Sequence, residues 1–257
     1  MSEKLEKGKK IYFVSDAHLG LPPHQKSLER EKLLVKWLDE ISGDAQAIYL
    51  MGDIFDYWFE YKKVVPRGFV RFLGKLAEIT DSGIPVYFFT GNHDVWAFDY
   101  LPSELGVTVY RQPQHRTFNG KKFYLAHGDG LGPSEWSYKL LKGIFTSRFL
   151  QWMFARIHPN SATGFAHRWS KHSRFSKGNF VSFLGEEKEH LIQHSKTMLS
   201  EEHFDFFIYG HRHIPIDWKL NESSRVIYLG DWFVNFTYAV FDGEDIRLLK
   251  YGEDPVR

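Results

Sequence analysis

Five short runs place Asp, His and Asn side chains directly behind apolar, strand-like segments. They are Asp16-Ala17-His18, Gly52-Asp53-Ile54-Phe55-Asp56, Gly91-Asn92-His93-Asp94, His127-Gly128-Asp129 and Gly210-His211-Arg212-His213, with Gly230-Asp231 as a weaker sixth. Divalent ions of the manganese, iron or zinc type accept carboxylate, imidazole and amide oxygen together. In this order the runs supply about the number of donors that two closely spaced ions need, and paired ions cleave phosphate esters. Asp53 is central and follows a strand directly, which suits a carboxylate bridging two cations. Asp16 and His18 are two apart, so both reach one ion from an irregular loop, whereas a strand would send them to opposite faces. His211 and His213 share that spacing and could serve one ion each. Asn92 offers a neutral oxygen and His127 a nitrogen. Each residue alone has a routine role: Asp16 as a helix cap, Asp53 as a turn former, His127 as a satisfied strand-end histidine. Those roles do not explain five such runs behind strands with glycine beside four of them, and the set reads as a metal site.

The elements that must position these runs alternate. Strands are expected at Lys10–Val14, Ala47–Met51, Val86–Thr90, Phe123–Ala126, Phe206–Tyr209 and Val226–Leu229, short, rich in β-branched and aromatic residues, and bounded by turn formers. Helices are expected over Leu28–Ile41, where Leu34, Trp37, Leu38 and Ile41 recur at helical spacing, and over Phe69–Thr80, stopped at Gly83. Alternating strand and helix predicts an α/β layered fold. Hairpin turns at Lys219–Arg225 and Phe241–Asp245 add antiparallel strands near the C-terminus. In open α/β sheets ligands sit beyond the carboxyl ends of the strands, where the polar runs lie.

Residues 134–185 interrupt this rhythm within what is otherwise one domain spanning 1–257. Tyr138, Leu141, Phe145, Phe149, Trp152 and Phe154 recur at helical spacing until Pro159, and a second helical stretch follows over Gly164–Ser173. The region reads as a helical hairpin inserted over the strand ends, a candidate lid. From Trp136 to Gly185 there are eight Lys or Arg, eleven aromatic residues and no Asp or Glu, in a chain of net charge +1. A solvated basic face is the plain reading; an anionic lipid surface or a nucleic acid would also select such a composition. The 257 residues contain no cysteine, which removes disulfides, zinc–thiolate sites and cysteine nucleophiles. The polar, lysine-rich start lacks a signal-peptide core, and no stretch approaches the roughly 20 apolar residues needed to span a bilayer, so a cytoplasmic protein is expected.

The motif set resembles the calcineurin-like metallophosphoesterases, whose pattern is D-x-H, G-D-x-x-D, G-N-H-D/E, H and G-H-x-H. Each element is present here, as Asp16/His18, Asp53/Asp56, Asn92/His93/Asp94, His127 and His211/His213, covering most of the chain. The resemblance implies a four-layer α/β/β/α sandwich and two divalent ions, manganese being the expected metal. It assigns Asp16, His18, Asp53 and His213 to the first ion, and Asp53, Asn92, His127 and His211 to the second. Two such cations would lower the pKa of a water and neutralise charge building on phosphate oxygens. His93 would then stabilise the transition state or protonate the leaving group, with Asp56 or Asp94 orienting its ring.

Within that family the chain is most similar to the UDP-2,3-diacylglucosamine pyrophosphohydrolases of lipid A biosynthesis. The likeness lies in Phe13–Gly20, in Gly52–Trp58, and in His127–Leu131 leading into the aromatic, basic insert. It implies hydrolysis of a UDP-linked lipid to UMP and 2,3-diacylglucosamine 1-phosphate, with Glu135, Tyr138, Ser173 and Arg174 as candidate substrate contacts. Phe149 and Trp152 are candidate walls of an acyl-chain pocket. Peripheral contact with the cytoplasmic face of the inner membrane is a further expectation. Two departures stand out: that subfamily typically has Arg where this chain has His93, and Phe175–Phe180 lacks its usual Asn and Lys spacing. The alternatives are a phosphodiesterase acting on nucleotides or nucleic acid, or a scaffold that has lost its chemistry. A nuclease prefers a long open groove to an aromatic lid, and a scaffold usually loses ligands, whereas none is missing here.

Overall fold

The computed structural model describes residues 2–132, 136–165 and 182–253. Two six-stranded sheets carry the chain. In one, β2 (Lys10–Val14), β3 (Ala45–Leu50), β4 (Val86–Phe89) and β5 (Thr108–Tyr110) run parallel, and β11 (Thr237–Phe241) with β12 (Ile246–Lys250) extends them antiparallel, in the order β12-β11-β2-β3-β4-β5. In the other, the order is β1-β6-β7-β8-β10-β9. Its members are β1 (Ser2–Glu3), β6 (Gln114–Phe118), β7 (Lys121–Ala126), β8 (Phe206–Tyr209), β9 (Pro215–Lys219) and β10 (Arg225–Leu229).

The strands alternate with a period of two, but both faces are apolar because each sheet is covered twice. Ile11 and Phe13 of β2, with Ala47 and Tyr49 of β3, point toward the second sheet and meet Phe123, Leu125, Ile208, Ile227 and Leu229. The intervening residues Tyr12, Val14, Ile48 and Leu50 face the other way. They pack under α1 (His24–Ile41) and α2 (Val70–Asp81), which contribute Leu34, Trp37, Leu38, Ile41, Phe72, Leu76 and Ile79 at helical spacing. On the outer face of the second sheet, Tyr124, Ala126, Phe207, Tyr209 and Tyr228 pack against Leu191 and Ile192 of α7 (His190–Glu201). Helix, sheet, sheet and helix thus form four layers around three apolar cores. Truncating a fully buried side chain such as Trp37 would cost about 3–5 kcal/mol.

Between β4 and β5 lies α3 (Tyr100–Leu105), an element absent from the sequence expectation, as are α7, β5 and β6. Glu60 starts α3 by accepting the amides of Asp99 at 2.7 Å and Tyr100 at 3.1 Å. Glu31, buried in α1, does the same for Arg71 and Phe72 at the start of α2. The periodicity that predicts one helix over 138–154 is split by Ser147 into α4 (Trp136–Thr146) and α5 (Arg148–Phe154), followed by helical residues 159–165 (α6). Phe145 and Phe154 face inward: Trp96 packs on both rings at 5.3 and 5.0 Å and donates Nε1–H to the Phe145 carbonyl at 2.8 Å. Among the described residues, Phe149 and Trp152 border neither cavity and stack on each other, 65% and 55% exposed, whereas Phe145 and Phe154 are half-buried. Lys142 ties α4 to the loop after β7 through Asp129, 2.8 Å away.

Candidate metal centre

The strands β2, β3, β4, β7 and β8 deliver their polar runs at one edge of the double sheet, and the backbone there is bent sharply. Asp16, His18, Asp53, His211 and His213 all have left-handed φ, between 43° and 65°. That conformation costs an L-residue roughly 1–2 kcal/mol, and Asp and His tolerate it better than most. Five such residues at one edge mark a site that the surrounding structure holds in place. Glycine permits the loops to close on one another. A Cβ at Gly91 would collide with the Asp53 carboxylate, and one at Gly210 would lie 2.6 Å from Asp16 Oδ2.

The donors fall into two groups around Asp53. Asp16, His18 and His213 form one, with His213 Nε2 3.3 Å and His18 Nε2 3.9 Å from Asp16 Oδ1. Asp53, His127 and His211 form the other, with His127 Nε2 3.4 Å from Asp53 Oδ2. Asp53 Oδ2 is also 3.9 Å from His18 Nε2, so one carboxylate oxygen faces both groups. Asp16 Oδ1, His18 Nε2, Asn92 Oδ1 and His127 Nε2 are buried and take part in no hydrogen bond. Four orphaned lone-pair atoms aimed at one cleft are costly in a folded protein, and a divalent cation is the partner that satisfies them. The residues therefore fit a two-ion centre.

The electrostatics point the same way. For Asp53, burial opposes ionisation, but His127, His93 and His18 outweigh it and hold the carboxyl well below its usual range. Burial pushes Asp16 well above that range, reinforced by the charge of Asp53. Although burial works against it, the carboxylates of Asp53, Asp16 and Asp129 push the His127 imidazole up to about 10. Burial lowers His18 and His213. These shifts belong to the bare cleft, where buried carboxylates and imidazoles compete for protons, and bound cations would take the place of those protons.

Neighbouring loops orient each donor. His127 Nδ1–H donates to the Met51 carbonyl at 2.8 Å, which turns Nε2 into the cleft. Asp16 Oδ2 accepts the His211 amide at 2.9 Å, and Asp53 Oδ1 the His93 amide at 2.8 Å. Asp56 serves two histidines: its carboxylate lies 3.4 Å from His18 Nδ1, and its backbone carbonyl 2.9 Å from His93 Nδ1. A carbonyl only accepts, so Nδ1 carries the proton and Nε2 is the nitrogen of His93 that can take one up. The Asp56 carboxylate also stands 3.9 Å from His93 Nδ1, so main chain and side chain of Asp56 both face the His93 ring. Asp94, the alternative orienter of His93, turns away to accept the amides of Gly91 at 2.7 Å and Ile54 at 2.8 Å. Burial and the nearby Asp53 push its carboxyl up to about 7. The sixth run supplies no donor to the cleft. Asp231 is buried and binds the amides of Phe233, Val234 and Asn235, closing a turn.

That turn brings in two residues that the sequence reading did not single out. Asn235 Nδ2 donates to the His213 carbonyl at 2.9 Å, and the Phe233 ring packs on His213 and His18 at 5.3 and 5.7 Å. Only the Gly230-Asp231 run hinted at them. Of the expected substrate contacts, Glu135, Ser173 and Arg174 lie outside the described residues, and the Tyr138 side chain is likewise not described, although its backbone belongs to α4.

Comparison with known proteins agrees with this geometry. The calcineurin-like phosphoesterase family model matches residues 9–215. A UDP-2,3-diacylglucosamine hydrolase from Porphyromonas gingivalis is 43% identical over 252 residues, covering 93% of this chain and 96% of that one. One from Aeromonas hydrophila subsp. hydrophila is 27% identical over 225 residues, with 86% and 90% covered, and one from a Shewanella strain is 23% identical over 221 residues, with 86% and 88% covered. The chain belongs to the calcineurin-like phosphoesterase family.

Proposed function

We propose that this phosphoesterase hydrolyses the pyrophosphate of UDP-2,3-diacylglucosamine, giving UMP and 2,3-diacylglucosamine 1-phosphate in lipid A biosynthesis. The observation that carries the chemistry is the set of orphaned donors around Asp53; the substrate class comes from the relatives. Asp16, His18, Asp53 and His213 would hold one divalent ion, and Asp53, Asn92, His127 and His211 the other, with manganese as the favoured metal. Bound there, the ions would supply positive charge for the phosphate oxygens and acidify the attacking water.

The remaining work belongs to side chains. Asp53 keeps its carboxylate ionised so that it can hold two cations. His93, with Nδ1 fixed on the Asp56 carbonyl, presents Nε2 as the proton carrier for the leaving oxygen. Asp94 keeps the Asp53 loop rigid through its bonded amides. A cavity of about 460 Å³ next to Leu19 and Gly20 is lined by Tyr57, Phe59, Tyr61, Val65 and Phe69, with Pro159 and Thr163 of the insert on its other side. It supports a place for acyl chains between the insert and the core, the insert acting as a lid. Among the described residues no helix is long and apolar enough to cross a membrane. The exposed Leu140, Ile144, Phe149, Trp152 and Met153, set among basic residues without an acid, support peripheral contact with the anionic face of the inner membrane. Nucleic acid is not the proposed partner.

The test is product analysis. Stripped enzyme reloaded with Mn²⁺ should convert a diacylated UDP-sugar to UMP and a lipid monophosphate by mass spectrometry, and chelation should stop it. Release of UDP, or turnover only of nucleic acid, would overturn the assignment.

A further inference from the structure

Arg212 lies between the two histidines of the last metal run, yet its side chain leaves the cleft. Its Nε and Nη2 donate to Glu189 Oε2 at 3.0 Å and Oε1 at 2.8 Å, a bidentate pair, and Nη2 also reaches the Ser182 carbonyl at 3.4 Å. Glu189 is 0% exposed. It stands at the N-cap of α7, but its side chain caps nothing there. Instead Oε1 accepts the Leu184 amide at 3.1 Å, and Oε2 lies 3.4 Å from the Tyr228 hydroxyl. A helix-capping role is therefore not what holds this carboxylate in the interior. Its three partners, Leu184, Arg212 and Tyr228, come from the returning end of the insert, from the metal loop and from β10.

The loop that Arg212 belongs to needs holding. His211 and His213 both sit at positive φ, on either side of Arg212. Among the described residues the loop is also tied by the His211 amide on Asp16, the His213 carbonyl on Asn235, a tight Arg212 N to Gly210 O bond of 2.7 Å, and ring contacts of His211 with His127 and His190 and of His213 with His18 and Phe233. None of these reaches the insert. The guanidinium does, because one planar fork binds Glu189 and the Ser182 carbonyl together.

We infer that Arg212 and Glu189 form a positioning pair that locks the His211–His213 loop in its metal-binding shape and couples that loop to the returning end of the insert. Neither residue touches substrate. The pair acts by fixing where two imidazoles point, and by making order in 182–186 and order in 210–213 depend on each other. This rests on the two-ion reading of the site, and the experiment separates the two.

The first measurement needs no metal. In the chelated protein, hydrogen exchange followed by mass spectrometry should show Arg212→Gln speeding exchange in 182–186 and 210–213 together, with β2 and β3 unchanged. The second is Mn²⁺ binding by calorimetry: wild type binds two ions, and Arg212→Gln weakens binding about 10–100-fold, as loss of a group orienting a ligand does. Arg212→Lys, which keeps charge but not the fork, should fall between them. If Arg212→Gln fails to fold because Glu189 is left buried and unpaired, the double variant Glu189→Gln/Arg212→Gln removes that charge and should show the same two effects. Unchanged metal affinity, or faster exchange in only one of the segments, overturns the pairing. A wild-type protein that binds no metal overturns the two-ion reading instead.

Discussion

The strand-end loops and the insert share one edge of the molecule but are stabilised differently. In the loops, the expected donors are buried or half-buried, and the loops are bonded to one another: Asp16 N to Gly52 O, His18 N to Asp53 O, Gly210 N to His127 O. In the insert, α4 and α5 turn Leu140, Ile144, Phe149, Trp152 and Met153 outward, and inward anchoring rests on Phe145, Phe154 and the Lys142–Asp129 pair. The loops tolerate strain because a network of hydrogen bonds over-determines them. Among the described residues, the insert leaves Leu140, Ile144, Phe149, Trp152 and Met153 exposed. The proposed function places chemistry on the loops and recognition on the insert, and mutations should separate them.

The largest effect is expected at Asp53, whose carboxylate faces both donor groups. Asp53→Ala should bring turnover below detection and cut bound metal measured by elemental analysis, because neither group is complete without it. Retention of two tightly bound ions would break the comparison at its root. Next comes His93→Ala, which should slow hydrolysis about 10²–10⁴-fold while leaving metal content nearly intact, as loss of a proton-transfer group does. Metal lost without a change in intrinsic rate would make His93 a ligand. The smallest effects distinguish the two faces of the insert region. Val65→Asp, in the wall of the cavity beside the insert, should raise the KM for a diacylated UDP-sugar about 10-fold through lost apolar contact. It should leave a small chromogenic phosphodiester unaffected. Phe149→Ser with Trp152→Ser should change thermal stability little, within about 0.5 kcal/mol for exposed sites, and leave both substrates unaffected in detergent. Its effect should appear in weaker sedimentation with anionic vesicles. Equal losses on both substrates would mean that the exposed pair supports packing after all.

The metal runs were legible in the sequence because a strand followed at once by a polar residue fixes where that residue goes. The boundaries of β2 and β8 match the expectation residue for residue, and β10 starts one residue earlier. The alternation of strands with helices, too, was readable as a layered α/β fold. Other features depended on contacts distant in sequence. Asp94 looks like an orienter of His93 and Asp231 like a sixth metal run from their motifs, but backbone amides brought up by folding occupy their oxygens. Glu189 gives no local signal, because its partners Arg212 and Tyr228 meet it only in three dimensions. Phe149 and Trp152 share the helical period of Phe145 and Phe154, and the period alone does not say which stripe faces the core. The edge strand β5 has three residues, and β6, Gln114–Phe118, is polar and half-exposed, so neither announced itself by an apolar pattern.

The central claim is that two cations sit on either side of Asp53. The most direct measurement is anomalous diffraction at the manganese edge from crystals grown with Mn²⁺. Two peaks a few ångströms apart are expected, one bounded by Asp16, His18 and His213, the other by Asn92, His127 and His211, with the Asp53 carboxylate between them. A single peak, or two peaks that do not share Asp53, would contradict the account.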